Sequence, residues 1–263
     1  MIKLIASDMD GTLLDENSEL PAETTGIVRQ LSDRGVLFAV ATGRRYDTAC
    51  AYFGDLSDSI DFVTSNGAQV VSAGEVVDRE VFPRAALRRL RGVVDRFDIL
   101  HMALFDRKRT FFIDDPSCYY EEFDKDLPEP HVIGWPGPDV NIIKASLFCA
   151  DSSAVMDMTY ILTRELGDRF VFAPSGSWWI DVLQVGVNKA TGLRELLDLH
   201  GIDPSEVLAF GDSMNDYDML RSVGESCAVA NARPAIRQIA TRTIGTNAEH
   251  AVQKEMRRIA EGR

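Results

Sequence analysis

The 263-residue chain carries 41 acidic against 28 basic side chains, a formal charge of −13, with 45% hydrophobic and 26% charged residues. This is the usage of an ordinary globular protein with material for one large or two smaller domains, and it excludes disordered and fibrous architectures. The acidic field disfavours nucleic acid and anionic membrane surfaces as partners and suits small molecules or cations, and no run approaches the ~18 apolar residues of a membrane span.

Residues 3–7 form a short apolar run ending in Asp8, and 36–41 form another ending in Thr42-Gly43-Arg44. Both predict buried parallel strands. Between them, 21–34 sets Ile27, Val28 and Leu31 on one helical face, with Pro21 in the first turn and Gly35 at the C-terminal cap. The product is a βαβ unit. Residues 61–65 supply a third strand, and 69–72, Ala73-Gly74 and 75–81 a hairpin. From 83 to about 183 the pattern changes to a helix at 85–96, strands at 99–105 and 110–113, a helix at 152–166, and strands at 171–174 and 178–183. Four prolines and two glycines in 127–139 predict an irregular connection there. Alternation then resumes with a helix at 190–199, a strand at 207–210, a helix from Asn215, a strand at 226–229, and helices at 234–240 and 249–259.

The expected fold is therefore α/β. Residues 1–83 and 184–263 build a doubly wound, Rossmann-like parallel sheet, and 84–183 are inserted into it as an α+β domain. In such sheets ligands lie beyond the carboxyl ends of the strands, where Asp8, Thr42 and Asp212 all fall. Cys50, Cys118, Cys149 and Cys227 are dispersed, which predicts free thiols in a cytoplasmic protein. The histidines at 101, 131, 200 and 250 lack zinc-ligand spacing, so any metal must be held by oxygen.

Asp8-Met9-Asp10-Gly11-Thr12 places two carboxylates two residues apart at a strand end, where an extended backbone aims alternate side chains the same way into one pocket. A carboxylate can attack phosphorus to give an aspartyl-phosphate, and a second can protonate the leaving alcohol and then activate water. A phosphate dianion beside a carboxylate needs compensating charge. Lys189 suits a fixed ammonium, though taken alone it reads as well as a solvated lysine opening the helix at 190–199, and Asp212 with Asp8 and Asp10 can hold Mg²⁺. Gly211-Asp212-Ser213-Met214-Asn215-Asp216 follows a strand and opens a helix, which suits a cation or phosphate site and equally suits plain helix capping. Thr42 offers a hydroxyl and an N–H to a phosphoryl oxygen, or an N-cap.

Taken together, Asp8-Met9-Asp10-Gly11-Thr12, Thr42-Gly43-Arg44, Lys189, and Gly211-Asp212 with Asn215-Asp216 resemble the four ordered motifs of the haloacid dehalogenase superfamily. The long insertion and Ser65-Asn66-Gly67-Ala68 resemble its Cof-type branch with a large α/β cap. The resemblance implies Asp8 as nucleophile, Asp10 as acid and base, and Thr42 and Lys189 as ligands of the phosphoryl group, with Met9, Gly43, Arg44, Asn66 and Asn215 around it. It implies Mg²⁺ held by Asp8, Asp10 through its carbonyl, and Asp212, supported by Asn215 and Asp216. The implied activity is Mg²⁺-dependent hydrolysis of a small phosphorylated metabolite such as a sugar phosphate, phosphoglycolate or cofactor phosphate, by a monomer or homodimer. A phosphomutase and a non-catalytic phospholigand-binding regulator stand as alternatives. The cap candidates for substrate contact are Arg107-Lys108-Arg109, Tyr119-Tyr120 and Trp178-Trp179. Ala228-Val229-Ala230-Asn231-Ala232, Arg237 and Ala251-Val252 depart from the family pattern, which leaves the place of Asn231 open.

Overall fold

The apolar runs of the two terminal segments become neighbouring strands. A computed structural model describes residues 1–114, 131–175 and 177–262, and the chain divides into two units, Met1–Arg79 with Asn188–Arg263, and Glu80–Val187.

In the first segment, β1 (Leu4–Ser7) leads through a wide turn at Met9–Leu13 to α1 (Thr24–Asp33) and β2 (Leu37–Ala41). There follow α2 (Tyr46–Cys50), a 3₁₀ stretch (Gly54–Ser59), β3 (Asp61–Thr64), β4 (Gln69–Ser72) and β5 (Glu75–Arg79). The inserted unit holds α3 (Arg84–Val94), β6 (Leu100–Phe105), β7 (Thr110–Phe112), β8 (His131–Ile133), β9 (Lys144–Cys149), α4 (Val155–Leu166), β10 (Phe170–Ser175) and β11 (Trp179–Gln184). The last segment adds α5 (Lys189–His200), β12 (Val207–Gly211), α6 (Tyr217–Ser222), β13 (Glu225–Ala228), α7 (Pro234–Ile239), β14 (Arg242–Thr243) and α8 (Ala251–Ala260).

The first unit carries an eight-stranded sheet in the order β14-β13-β12-β1-β2-β3-β4-β5. It is parallel from β14 to β3, and β4 and β5 extend it as an antiparallel ribbon. The central strands are buried on both faces, as their unbroken apolar composition requires: Leu4, Ile5, Ala6, Val207, Leu208 and Ala209 are fully inaccessible. Register then fixes the site. Ser7 pairs with both Val40 and Phe210, so Asp8, Thr42 and Asp212 emerge within two residues of one level at the same sheet edge.

The inserted unit carries a six-stranded sheet, β10-β11-β9-β6-β7-β8, antiparallel except between β7 and β8. Leu100, Met102, Leu104, Leu147, Ile180 and Val182 point to one face and pack on Leu87, Leu90 and Val94 of α3 and Leu162 and Leu166 of α4. The alternate residues Ala103, Phe105, Phe112 and Phe148 form the other face with Trp178 and Trp179.

Three expectations are corrected here. The connection at 127–139 contains a strand, β8, whose extended backbone pairs at the sheet edge with β7. Strand β9, absent from the expected elements, lies in the sheet interior, where Ala145, Leu147 and Cys149 alternate inward with period two. The helix expected from Asn215 begins as a single 3₁₀ turn, Met214–Asp216, before α6. The described cysteines Cys50, Cys149 and Cys227 are free thiols, and Cys118 lies outside the described residues.

Candidate active site

The site is built where β1, β2 and β12 end. Asp8 continues the sheet ladder, its N–H donating to the Phe210 carbonyl at 3.0 Å. The chain then leaves the strand in a wide turn closed by the Leu14 N–H on the Met9 carbonyl at 2.9 Å. Gly11 sits in this turn at φ 77°, and a Cβ there would stand 2.9 Å from Asp212 Oδ2, so glycine lets the turn approach the acidic cluster. Residues far along the chain brace it: Asn231 donates to the Gly11 carbonyl at 2.8 Å, Asn247 to that of Leu14 at 2.9 Å, and Gln253 to that of Leu13 at 2.9 Å. This places Asn231. Nothing in the sequence marks Asn247 or Gln253, because each is a lone polar residue whose partner is more than two hundred positions away.

Lys189 opens α5, held by a capping box in which the Asn188 side chain accepts the Thr191 N–H at 3.0 Å and the Asn188 N–H donates to Thr191 Oγ1 at 3.0 Å. The helix comes close to the Ser65-Asn66-Gly67 turn. A Cβ on Gly67, at φ 101°, would lie 2.0 Å from the Asn188 carbonyl, so only glycine permits this docking. Although in a first helical turn, Lys189 is fully buried. Its ammonium donates to Asp8 Oδ1 at 2.5 Å and to Asp216 Oδ1 at 2.6 Å. Asp216 Oδ2 in turn accepts the N–H groups of Asp212 and Ser213, both at 3.0 Å.

Asp8, Asp212 and Asp216 present oxygens within 4.8 Å of one another. Three carboxylates thus face one ammonium. At this spacing each like-charge pair repels by about 3–4 kcal/mol at an effective dielectric of ~20. Burial, then the charge of Asp216, pushes the Asp8 carboxyl well above the usual aspartate range, against the opposing pull of Lys189. Burial and Asp216 also raise Asp212. Burial alone would lower the Lys189 ammonium, but Asp216 and Asp8 outweigh it and raise it.

This excess of negative charge fits a hard divalent cation bound through oxygen. Both oxygens of Asp216 are already taken by Lys189 and backbone N–H groups, which makes it an orienting residue. Asp8 uses only Oδ1 toward Lys189, and Asp212 holds one long contact from Thr12 at 3.4 Å and one from Ser213 Oγ at 3.1 Å. Asp8 and Asp212 therefore retain the capacity to ligate.

The remaining expected residues fall as follows. Asp10 does not join Asp8: its side chain is half-exposed and bound bidentately by Arg44, Nε to Oδ2 at 2.8 Å and Nη2 to Oδ1 at 2.7 Å. Thr42 is buried, and its N–H, expected to serve a phosphoryl oxygen, is spent on the Val63 carbonyl at 2.8 Å. Its hydroxyl oxygen accepts the Arg44 N–H at 3.1 Å, so the hydroxyl proton remains for a ligand. Met9 is buried in the core. Asn66, at φ 56°, receives the Asn215 amide at 3.0 Å and so ties the loop after β3 to the loop after β12. Gly43 lets it approach, since a Cβ there would lie 3.2 Å from Asn66 Oδ1.

Of the inserted unit's candidates, Arg109 pairs with Asp106 at 2.6 Å, and Asp106 Oδ1 accepts the N–H groups of Lys108 and Arg109, so the basic triplet closes the turn between β6 and β7. Trp178 and Trp179 are half-buried on Phe148, with ring centroids 6.0 and 5.1 Å away. Tyr119 and Tyr120 lie outside the described residues.

The family model described as haloacid dehalogenase-like hydrolase matches residues 5–256. The chain belongs to this family, and it is a hydrolase of the haloacid dehalogenase type. It is 31% identical over 262 residues to a 5-amino-6-(5-phospho-D-ribitylamino)uracil phosphatase of Escherichia coli strain K12, covering 95% of this chain and 93% of the relative. It is 31% identical over 245 residues to an HMP-PP phosphatase of Citrobacter koseri, covering 90% and 87% respectively. The fold matches a structure from Streptococcus mutans UA159 with a TM-score of 0.89 and 23% identity, over 99% of this chain and 100% of that one. Among the described residues no helix is long and apolar enough to cross a membrane.

Proposed function

We propose that this hydrolase is a Mg²⁺-dependent phosphatase that cleaves a small phosphorylated metabolite through an aspartyl-phosphate. The observation that carries the reading is the buried Lys189 ammonium fixed between Asp8 and Asp216, beside an Asp212 that leaves the cluster short of positive charge. Such a centre is built to receive a cation and a phosphoryl group together. The named phosphatase activities of its relatives, both on phosphorylated small molecules in one case spelled out as a phosphoribityl aminouracil, support the substrate class.

The roles follow from chemistry. Asp8, Asp212 and the Asp10 carbonyl would hold Mg²⁺, with Asn215 and Asp216 in support, and the ion would supply charge that lets an anionic ester approach an anionic nucleophile. Asp8 attacks phosphorus, the P–O ester bond breaks, and its electron pair leaves on the alcohol oxygen, which takes a proton from Asp10. Asp10 then removes a proton from water as that water attacks phosphorus, and the Asp8 carboxylate is released with inorganic phosphate. Thr42, through its hydroxyl, and Lys189 bind phosphoryl oxygens, with the Met9 and Gly43 backbone, Arg44, Asn66 and Asn215 around them. Residues 84–183 act as the cap that selects the substrate, and 1–83 with 184–263 as the catalytic core. Free thiols at Cys50, Cys149 and Cys227 support a cytoplasmic setting.

The test is a panel of phosphorylated metabolites with Mg²⁺, ranked by kcat/KM, alongside Asp8→Asn. Release of phosphate by the wild type and none by the variant is expected. Turnover of the variant near the wild-type rate removes Asp8 from the nucleophile role, and an isomeric product without phosphate release replaces hydrolysis by mutase chemistry.

A further inference from the structure

Asp8 and Asp212, the carboxylates with capacity left to ligate, reach the site on separate loops joined by one long contact, Thr12 Oγ1 to Asp212 Oδ1 at 3.4 Å. A short stretch after β13 ties both loops to itself. Asn231 donates its side-chain N–H to the Gly11 carbonyl at 2.8 Å, and the Arg233 backbone N–H donates to the Asp212 carbonyl at 2.9 Å. The anchor of one ligand loop thus lies two positions from the anchor of the other, so the turn between them sets how far apart the loops stand. That turn is held in place as well. The Ala232 N–H donates to the Val229 carbonyl at 2.9 Å, and the Ala230 N–H to that of Gly245 at 3.0 Å.

The turn that carries Asp8 draws on donors from outside it. Asp10, at φ −72° and ψ 121°, and Gly11, at φ 77°, depart from helical geometry within Met9–Leu13. Carbonyls in such an irregular turn must find partners elsewhere. Those of Gly11, Leu13 and Leu14 each accept a side-chain amide, from Asn231, Gln253 and Asn247 in that order. Asn231 and Asn247 also hold each other, the Asn247 N–H donating to Asn231 Oδ1 at 3.1 Å. Gln253, almost fully buried, shares its amide between the Leu13 carbonyl and Thr24 Oγ1 at 3.1 Å. All three donors are neutral. A lysine or arginine could cap the same carbonyls, but it would bring positive charge beside carboxylates that are to attract a cation.

We propose that Asn231, Asn247 and Gln253 are positioning residues that set the spacing of Asp8 and Asp212, and that this fixed spacing selects a small, rigidly coordinated divalent cation over a larger one. The proposal rests on the Mg²⁺-phosphatase reading and adds size selectivity to its metal site. Mg²⁺ takes oxygens at about 2.0–2.1 Å in a near-octahedral shell, whereas Ca²⁺ accepts about 2.3–2.6 Å and irregular shells. Loops pinned from outside suit the first ion, and loops set loose still suit the second.

The experiment titrates metal-free, full-length protein with MgCl₂ and, separately, CaCl₂ by calorimetry. Asn231 is exposed and Asn231→Ala leaves the core intact, while Gln253→Met keeps the side-chain length and removes the donor. Each variant is expected to lose about tenfold in Mg²⁺ affinity, the scale for groups that orient metal ligands. Ca²⁺ affinity should fall less than about threefold, since its shell adapts. Equal losses for the two ions, or no loss of Mg²⁺ affinity in either variant, would overturn the proposal. Leu31→Ala, in the core beside α1 and away from these amides, separates positioning from stability. It should lower the melting midpoint and keep the wild-type ratio of Mg²⁺ to Ca²⁺ affinity; a shift in that ratio as large as that of Asn231→Ala would also overturn the proposal. Asp212→Asn tells the two levels of failure apart. If it abolishes Mg²⁺ binding while the brace variants keep the wild-type ratio, the positioning role alone is wrong. If it leaves Mg²⁺ binding at the wild-type level, the metal site of the phosphatase reading is wrong, and the positioning role falls with it.

Discussion

Replacing Lys189 by Met should destabilise the protein by more than it changes its shape. The methionine fills nearly the same volume but leaves the buried carboxylates of Asp8 and Asp216 facing each other with no cation between them. Removing one partner of a buried pair costs about 3–5 kcal/mol, and here one ammonium serves two carboxylates. Set against a typical net stability of ~5–15 kcal/mol, that is a large share. At about 2–4 °C per kcal/mol for a domain of this size, the melting midpoint should fall by roughly 6–20 °C. The loss should depend on pH. Without Lys189, Asp8 loses the one influence that lowers its carboxyl, so it rises further above the usual aspartate range. A carboxyl raised in the folded state stabilises below its ordinary value and loses that contribution as pH rises through the raised one. The variant should therefore be closest to wild type in acid and furthest from it near pH ~8. The assay is thermal unfolding of metal-free protein by circular dichroism from acid to mildly basic pH. A midpoint within about 2 °C of wild type at neutral pH, with no widening gap as pH rises, would refute the view that Lys189 neutralises this cluster.

Asp10→Asn should slow hydrolysis of an alkyl phosphate by about 10²–10⁴ and that of p-nitrophenyl phosphate much less, since a good leaving group needs no proton; equal losses in the first step would remove the acid role. In the metal-free protein Asp8 and Asp212 are both raised, so the fold should lose stability as pH climbs above the ordinary aspartate range near ~4. Added Mg²⁺, which binds the ionised carboxylates, should raise the melting midpoint more at pH 8 than at pH 5, and the reverse order would contradict the assignment. Gly11→Ala forces a φ of 77° on alanine and brings its Cβ to 2.9 Å from Asp212 Oδ2; Mg²⁺ affinity measured by calorimetry should fall about tenfold or more, the scale for disturbed ligand support.

The sequence by itself determined the α/β alternation, the insertion, and the arrival of Asp8, Thr42 and Asp212 at strand ends. Those features are written in apolar runs a few residues long and in the polar residue that stops each run. It also carried the family's ordered motifs, which set Lys189 beside them in function. Tertiary structure decided what those side chains do to one another. Asp8 and Asp10 are neighbours in a five-residue motif, yet one is buried on Lys189, 181 positions away, and the other is half-exposed on Arg44, 34 positions away. Asp216, which the local pattern fits to a helix cap, does cap the Asp212 loop and also clamps Lys189. The braces Asn247 and Gln253 gave no local signal at all, and the sequence left the place of Asn231 open. Hydrophobic periodicity is a property of adjacent residues and survives in one dimension, whereas the pairing of charges and amides depends on which distant segments the sheet register sets side by side, and that is fixed only when the chain is folded.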